Sequence, residues 1–209
     1  MNSPNGADEG FGPPEVATSL PGGDARPERI VLNVGCGYPL RQKLHPMFQD
    51  PIWREVRLDI DARVKPDILC SITDMRPVPA ASVDAVWSSH NLEHLHRHEV
   101  PRALAEFLRV LRPAGMLLAT LPDLQKVAEL VAADALEDEA YRAPSGPITP
   151  LDMIFGHTPS LARGDLFMAH KTGFTARTFD RLLGDAGFVG IVVQRRNYDL
   201  WARGFKPGL

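Results

Sequence analysis

Two groups of residues in this chain have the types and spacing to do chemistry. The first is Gly35-Cys36-Gly37, which follows the apolar run Ile30–Val34, with an acidic residue, Asp59, 24 residues beyond Gly35. Glycines at the end of a buried strand let the backbone turn sharply and leave bare peptide where a ligand can approach. A carboxylate about 20 residues further on is placed to accept hydrogen bonds from a ribose held above such a turn. A charge-assisted bond of that kind contributes about 1.5–3 kcal/mol. Taken alone, Asp59 is also compatible with a solvated acidic loop. The second group is His90, His94, His96 and His98. Histidines serve as proton carriers or as zinc ligands. The His90/His94 spacing would suit a metal only on one continuous helical face with a third ligand nearby. The helix begins only around Glu99, and neither a cysteine pair nor an HExxH pattern accompanies the cluster, so no metal site is expected.

Positioning the first group requires a parallel α/β sheet. Ile30–Val34 reads as a buried strand and Val56–Ile60 as the next, with Val56, Leu58 and Ile60 on one face. Between them the segment LRQKLH is too short, and too closely bracketed by Pro39 and Pro46, to make a proper crossover helix. Asp67–Cys70, Ser82–Ser89 and Met116–Leu121 read as further strands. Val100–Leu111 carries a helical stripe of Leu104, Phe107, Leu108 and Leu111, ended by Pro113-Ala114-Gly115. Leu124–Val131 continues as a helix. Periodicity then fails from Ala135 to Lys171, which reads as an insertion over the ligand edge of the sheet or as a lid. Phe179, Leu182, Leu183 and Ala186 mark another helix, capped by Thr175 and stopped by Gly187. The connection between the last two strands, Val189–Gln194 and about Leu200–Phe205, is too short for a parallel crossover, so they pair antiparallel. Alternating strands and helices imply βαβ units with right-handed crossovers.

Composition narrows the function classes. The chain has 209 residues, enough for one globular domain, and a formal net charge of −3, which gives no global electrostatic case for nucleic acid or an anionic membrane. No apolar run reaches the length of a membrane span, and the start of the chain lacks a secretory apolar region, so a cytoplasmic protein is expected. With two cysteines, Cys36 and Cys70, free thiols are favoured over a disulfide. Residues 1–28 contain five glycines and five prolines and read as a disordered tail, leaving 29–209 as the domain.

Taken in order, VLNVGCG, LDID, SITDMRPVPAASVDAVWSSHNLEHL, FLRVLRPAGMLLATLPD and HKTGFT with DAGF resemble the class I S-adenosylmethionine-dependent methyltransferases, particularly the type-11 branch. The resemblance runs from about Ile30 to Lys206. It implies a Rossmann-like, seven-stranded, mostly parallel sheet with an antiparallel last strand and helices on both faces. It also implies S-adenosyl-L-methionine as cofactor, S-adenosyl-L-homocysteine as product, and a methyl acceptor that the sequence does not name, a small molecule or saccharide being favoured and nucleic acid not expected. Carried over, it puts Gly35 and Gly37, with Asn33 and Cys36 of the same turn, beneath the methionine moiety. Asp59, with Ile60 beside it, falls on the ribose; Ser71, Ile72 and Asp74 fall at the adenine edge; Ser89 and His90 fall near the sulfonium. Where the acceptor must lose a proton, His90, and after it His170, could take it. Asn33 stands where the family usually has an acid, Ser71 where it usually has Asp, and Pro39 replaces the third glycine of the turn. A non-catalytic binding module on the same fold is the alternative. A nicotinamide oxidoreductase ranks below it, because Leu40 stands where the dinucleotide fingerprint needs its third glycine.

Overall fold

The computed structural model describes residues 28–39 and 44–208. The tail expected over residues 1–28 lies outside them apart from Glu28, as do residues 40–43 of the LRQKLH segment. The first strands are β1 (Arg29–Val34), β2 (Trp53–Asp59), β3 (Ile68–Leu69), β4 (Val83–Ser89) and β5 (Leu111–Pro122), with helix α1 (Val100–Val110) between β4 and β5. Helix α2 (Leu124–Ala132) follows, then a hairpin of β6 (Tyr141–Ala143) and β7 (Gly146–Ile148), and short helices α3 (Pro150–Phe155) and α4 (Thr158–Ala162). Helix α5 (Ala176–Asp185) leads into β8 (Val189–Arg196) and β9 (Asp199–Phe205).

The main sheet has seven strands in the order β3-β2-β1-β4-β5-β9-β8. The first five are parallel, and β9 runs antiparallel to both β5 and β8. From β1 the chain moves outward through β2 and β3, then returns to β4 on the other side of β1. That reversal makes the carboxyl ends of β1 and β4 the switch point of the sheet, where α/β folds hold their ligands.

One face of the sheet is covered by α1 and α5. Leu32, Val34, Val86 and Leu117 pack there against Leu104, Phe107, Phe179 and Leu183, all fully buried. Helix α1 buries Leu104 and Phe107 of the expected stripe together with Val100, Ala103 and Val110, while Leu108 is partly buried and Leu111 falls in β5; Pro101 sits in the first turn, where a missing N–H costs nothing. On the second face the cover among the described residues between β1 and β2 is a single 3-10 turn, Pro46–Gln49, whose Phe48 joins Trp53 and Trp87 edge to face or tilted. The insertion holds more regular structure than its sequence suggests. Ile148 and Met153 pack on Val127 of α2, giving it a small core of its own.

Candidate functional site

The turn after β1 is shaped by two left-handed residues, Gly35 at φ 63° and Gly37 at φ 58°. A side chain at Gly35 would be strained and would also collide with Asn91, whose Cγ lies 2.5 Å from the position a Cβ would take. The turn is tied to β2 from two directions. The Gly37 N–H donates to Asp59 Oδ2 at 2.8 Å, and Arg57 donates to the Gly37 carbonyl at 2.6 Å. The other Asp59 oxygen, Oδ1, accepts from the Asp61 N–H at 2.9 Å. An ionised carboxylate offers about four lone-pair sites, so two backbone bonds fix Asp59 and leave acceptor capacity for a ligand.

The remaining sequence-identified residues hold partners of several kinds. The Cys36 thiol, 3.9 Å from Asp59 Oδ2, is buried, and burial pushes its pKa up to about 11 even though Arg57 pulls the other way. It is a neutral donor at physiological pH and a poor nucleophile. Asn33 turns along β2 and donates to Glu55 Oε1 at 2.7 Å. Ile60 is exposed beside Asp59. Ser71 shares its hydroxyl with Thr73, Ile72 is buried in the core, and Asp74 pairs with Arg76 at the surface. The loop that carries these three is pinned by the pair Glu106 and Arg109 on α1. Glu106 accepts from the Met75 N–H, and Arg109 donates to the Met75 and Val78 carbonyls. Arg109 therefore holds the loop in place.

At the end of β4, Ser89 meets Thr120 of β5 at 3.1 Å. His90 follows in a left-handed conformation, φ 47°, which a non-glycine residue keeps only where its surroundings hold it there. Its Nδ1 lies 3.3 Å from Glu93 Oε1 and its Nε2 lies 3.6 Å from Asp199 Oδ1. Burial disfavours charge on the ring even with 42% of the side chain exposed, but the two carboxylates outweigh it and hold the pKa up, at about 10. With both nitrogens facing carboxylates, His90 is arranged to donate and has no free lone pair. Glu93, in turn, stays ionised despite burial because His90 and the neighbouring His94 and His170 favour its charge. His170 donates from Nδ1 to the Met153 carbonyl at 2.9 Å, and burial lowers its pKa. It offers a single lone pair, at Nε2. His96 and His98 stack on one another away from this group, so the four sequence neighbours do not converge.

Asn91, Asp199 and Glu93 carry no sequence signal by themselves. The Asp199 carboxylate comes from the start of β9, 109 residues after His90. Two buried polar atoms at the mouths of β1 and β4, Ser88 Oγ and Asn91 Nδ2, have no hydrogen-bond partner. Together with the Gly35 cradle and the anchored Asp59, they fit an adenosyl amino acid ligand, which brings donors and acceptors to that edge.

Residues 32–119 match the family described as "Methyltransferase domain". No protein of curated function matches the chain in sequence. Among solved structures, a SAM-dependent methyltransferase from Archaeoglobus fulgidus aligns with a TM-score of 0.56 at 13% identity, over 86% of this chain and 86% of that one. One from Methanosarcina mazei aligns with a TM-score of 0.58 at 16% identity, over 88% and 95%. The 1,6-didemethyltoxoflavin-N1-methyltransferase of Burkholderia thailandensis, solved with S-adenosylhomocysteine, aligns with a TM-score of 0.53 at 18% identity, over 86% and 72%. At these identities the structural likeness is one of fold. Between β1 and β2 the described residues contain no α-helix to offer its N-terminus to a dinucleotide pyrophosphate. Residues 32–119 match a methyltransferase domain, and the sheet around them has the topology expected of that fold.

Proposed function

We propose that this methyltransferase holds S-adenosylmethionine on the Gly35–Gly37 turn with Asp59 on the ribose, and methylates a small acceptor that enters between β5, α2 and the insertion. The observation that carries the reading is the Asp59 carboxylate, clamped by two backbone N–H groups against a glycine turn at the switch point of the sheet. The cofactor supplies a methyl group on a sulfonium, already bonded to a good leaving group. What the chain must supply is alignment, which can contribute ~7–11 kcal/mol of the barrier. Ser71, Ile72 and Asp74 sit on the loop that would edge the adenine, and Asn91 Nδ2 is the free donor beside the methionine end.

A small acceptor is supported by a cavity of about 220 Å³ beyond the carboxyl end of β5, walled by Pro122, Leu124, Met153 and Phe155 with Glu93 and His170 at its polar end. Its size suits a small molecule or one sugar unit better than a macromolecular surface. His170 lines this cavity, whereas His90 lies outside its lining at the end of β4. His90 acts as a donor held by two carboxylates, and His170 presents Nε2. Among the described residues no helix is long and apolar enough to cross a membrane. The free thiols of Cys36 and Cys70 support a reducing, cytoplasmic setting.

The test is transfer of labelled methyl from S-adenosylmethionine across a panel of small hydroxyl, amine and sugar acceptors. The expected result is product with one chemical class, lost when the cavity is blocked by Met153→Trp. Cofactor binding with no transfer to any class would favour the non-catalytic binding module.

A further inference from the structure

Two imidazoles and a carboxylate converge where the insertion rejoins the sheet. Glu93 and His94 lie in the 3-10 turn Leu92–His94 after β4, and His170 lies 76 residues on, at the end of the insertion. One ligand atom from each of the three lies within 4.8 Å of the other two. Backbone carbonyls orient both rings: Ala169 O is 3.1 Å from His94 Nδ1, and Met153 O is 2.9 Å from His170 Nδ1. A carbonyl only accepts, so each Nδ1 carries the proton and each Nε2 keeps its lone pair. Metal-ligating histidines are held in this way, the far nitrogen fixed by an acceptor and the near one presented to the ion.

An independent observation concerns Glu93. Its side chain is 1% exposed, and neither carboxylate oxygen accepts a hydrogen bond, with His90 Nδ1 the ion-pair neighbour at 3.3 Å. A buried carboxylate without hydrogen-bond donors is costly unless a cation compensates it. The ion pair with His90 engages Oε1 without a hydrogen bond, and Oε2 is left with no partner.

We propose that Glu93, His94 and His170 bind one divalent transition-metal ion of the zinc class, through the Glu93 carboxylate and Nε2 of each histidine. The donor set decides the class: two imidazoles and one carboxylate suit zinc, cobalt or iron, whereas magnesium and calcium prefer oxygen alone. Zinc–nitrogen bonds of about 2.0–2.1 Å put tetrahedral ligands about 3.4 Å apart, so groups that lie within 4.8 Å of one another draw in by at most about 1.4 Å on binding. Three protein ligands leave the fourth position open, and the cavity shares Glu93 and His170 with the site. An oxygen or nitrogen of an acceptor, or a water, would complete the coordination there. The proposal revises the expectation of no metal. Of the four histidines in the 90–98 run only His94 takes part, with Glu93 beside it, and the third ligand is remote in sequence.

The test is metal binding by the untagged full-length chain without cofactor, so its outcome is separate from that of the methyl-transfer reading. After chelator treatment, zinc is titrated by calorimetry and cobalt by its visible absorption. One equivalent per chain is expected, with a tetrahedral cobalt spectrum and a raised melting temperature. Affinity should fall in His94→Ala and His170→Ala by more than the roughly 10–100-fold that loss of an outer-shell partner costs. The double variant His96→Ala/His98→Ala should bind as the wild type does. If His170→Ala fails to fold, His170→Gln keeps an N–H for the Met153 carbonyl and should fold without binding tightly. No binding by the folded wild type, binding that survives the His94 and His170 variants, or binding lost with His96 and His98 would each overturn the proposal.

Discussion

Asp59 is fixed before any ligand arrives, its two oxygens held by the N–H groups of Gly37 and Asp61. Preorganised acceptors of this kind cost little to use, and the same bonds explain why the Gly37 peptide must be able to turn left-handed. Gly35 is constrained more severely. Its φ of 63° strains any side chain, and a Cβ would lie 2.5 Å from the Asn91 Cγ. Gly35→Ala is therefore expected to lower stability by about 1–3 kcal/mol and to displace Asn91 from the cradle, which thermal unfolding and cofactor titration of the variant would read together. The glycines and Asp59 were legible in the sequence because turn and acid stand a fixed distance apart across one β-loop-β unit. Asn91, the Asp199 partner of His90 and the Glu93–His94–His170 group were not, since each depends on segments brought together only by the folded sheet. The candidate base illustrates the difference. A histidine at the end of β4 is visible in the sequence, but the carboxylates on either side of it, which turn it into a donor, come from a turn and from β9.

At the scale of elements, the strands and the helices α1, α2 and α5 follow their hydrophobic periodicity closely. The differences have physical causes. Strand β5 begins at Leu111, directly after α1, because its first residues make a bulged pairing with β4 in which Val83 meets Leu111 and Ala85 meets Met116. The hairpin and helices of the insertion are three to six residues long, too short to display a period. Prolines that read as breakers there sit at helix starts: Pro150 opens α3 and Pro159 opens α4. The signal that could have found α3 is Thr149-Pro150-Leu151-Asp152, a capping box. Thr149 Oγ1 accepts from the Asp152 N–H at 3.2 Å, and the Asp152 carboxylate accepts from Thr149 and, at 2.8 Å, from the Thr158 N–H. Burial raises the Asp152 pKa, but these bonds outweigh it and leave it lowered. A lowered carboxylate pKa contributes stability that is present above the unfolded-state value and lost as pH falls through the folded one. Asp152→Ala should cost about 1–2 kcal/mol near neutral pH, or roughly 2–8 °C in Tm. The gap between variant and wild type should start to narrow as pH falls below about 4 and close once pH passes the lowered folded-state value, and a gap that persists beyond that would assign the loss to packing.

At the scale of the molecule, a mostly parallel sheet was legible because alternating strands and helices imply right-handed crossovers, and the short final connection forces an antiparallel pair. What was not legible is how the second face of the sheet is closed. Among the described residues between β1 and β2, a turn carrying Phe48 does this, with the rings of His45, Trp53, Trp87 and Trp201 around it. Aromatic side chains bury enough area per residue for one turn to cover what a longer helix would otherwise cover. Both faces then hold β1 and β4 rigid, and the switch point between them presents the glycine turn and Asp59 as one unit. The central claim is that this unit binds the adenosyl cofactor. Calorimetric titration of S-adenosylhomocysteine into the wild type and Asp59→Ala tests it most directly. The account predicts one site per chain and a loss of about 1.5–3 kcal/mol in the variant, roughly 12- to 160-fold in Kd. Equal affinity in the two proteins, or no binding by the folded wild type, would contradict it.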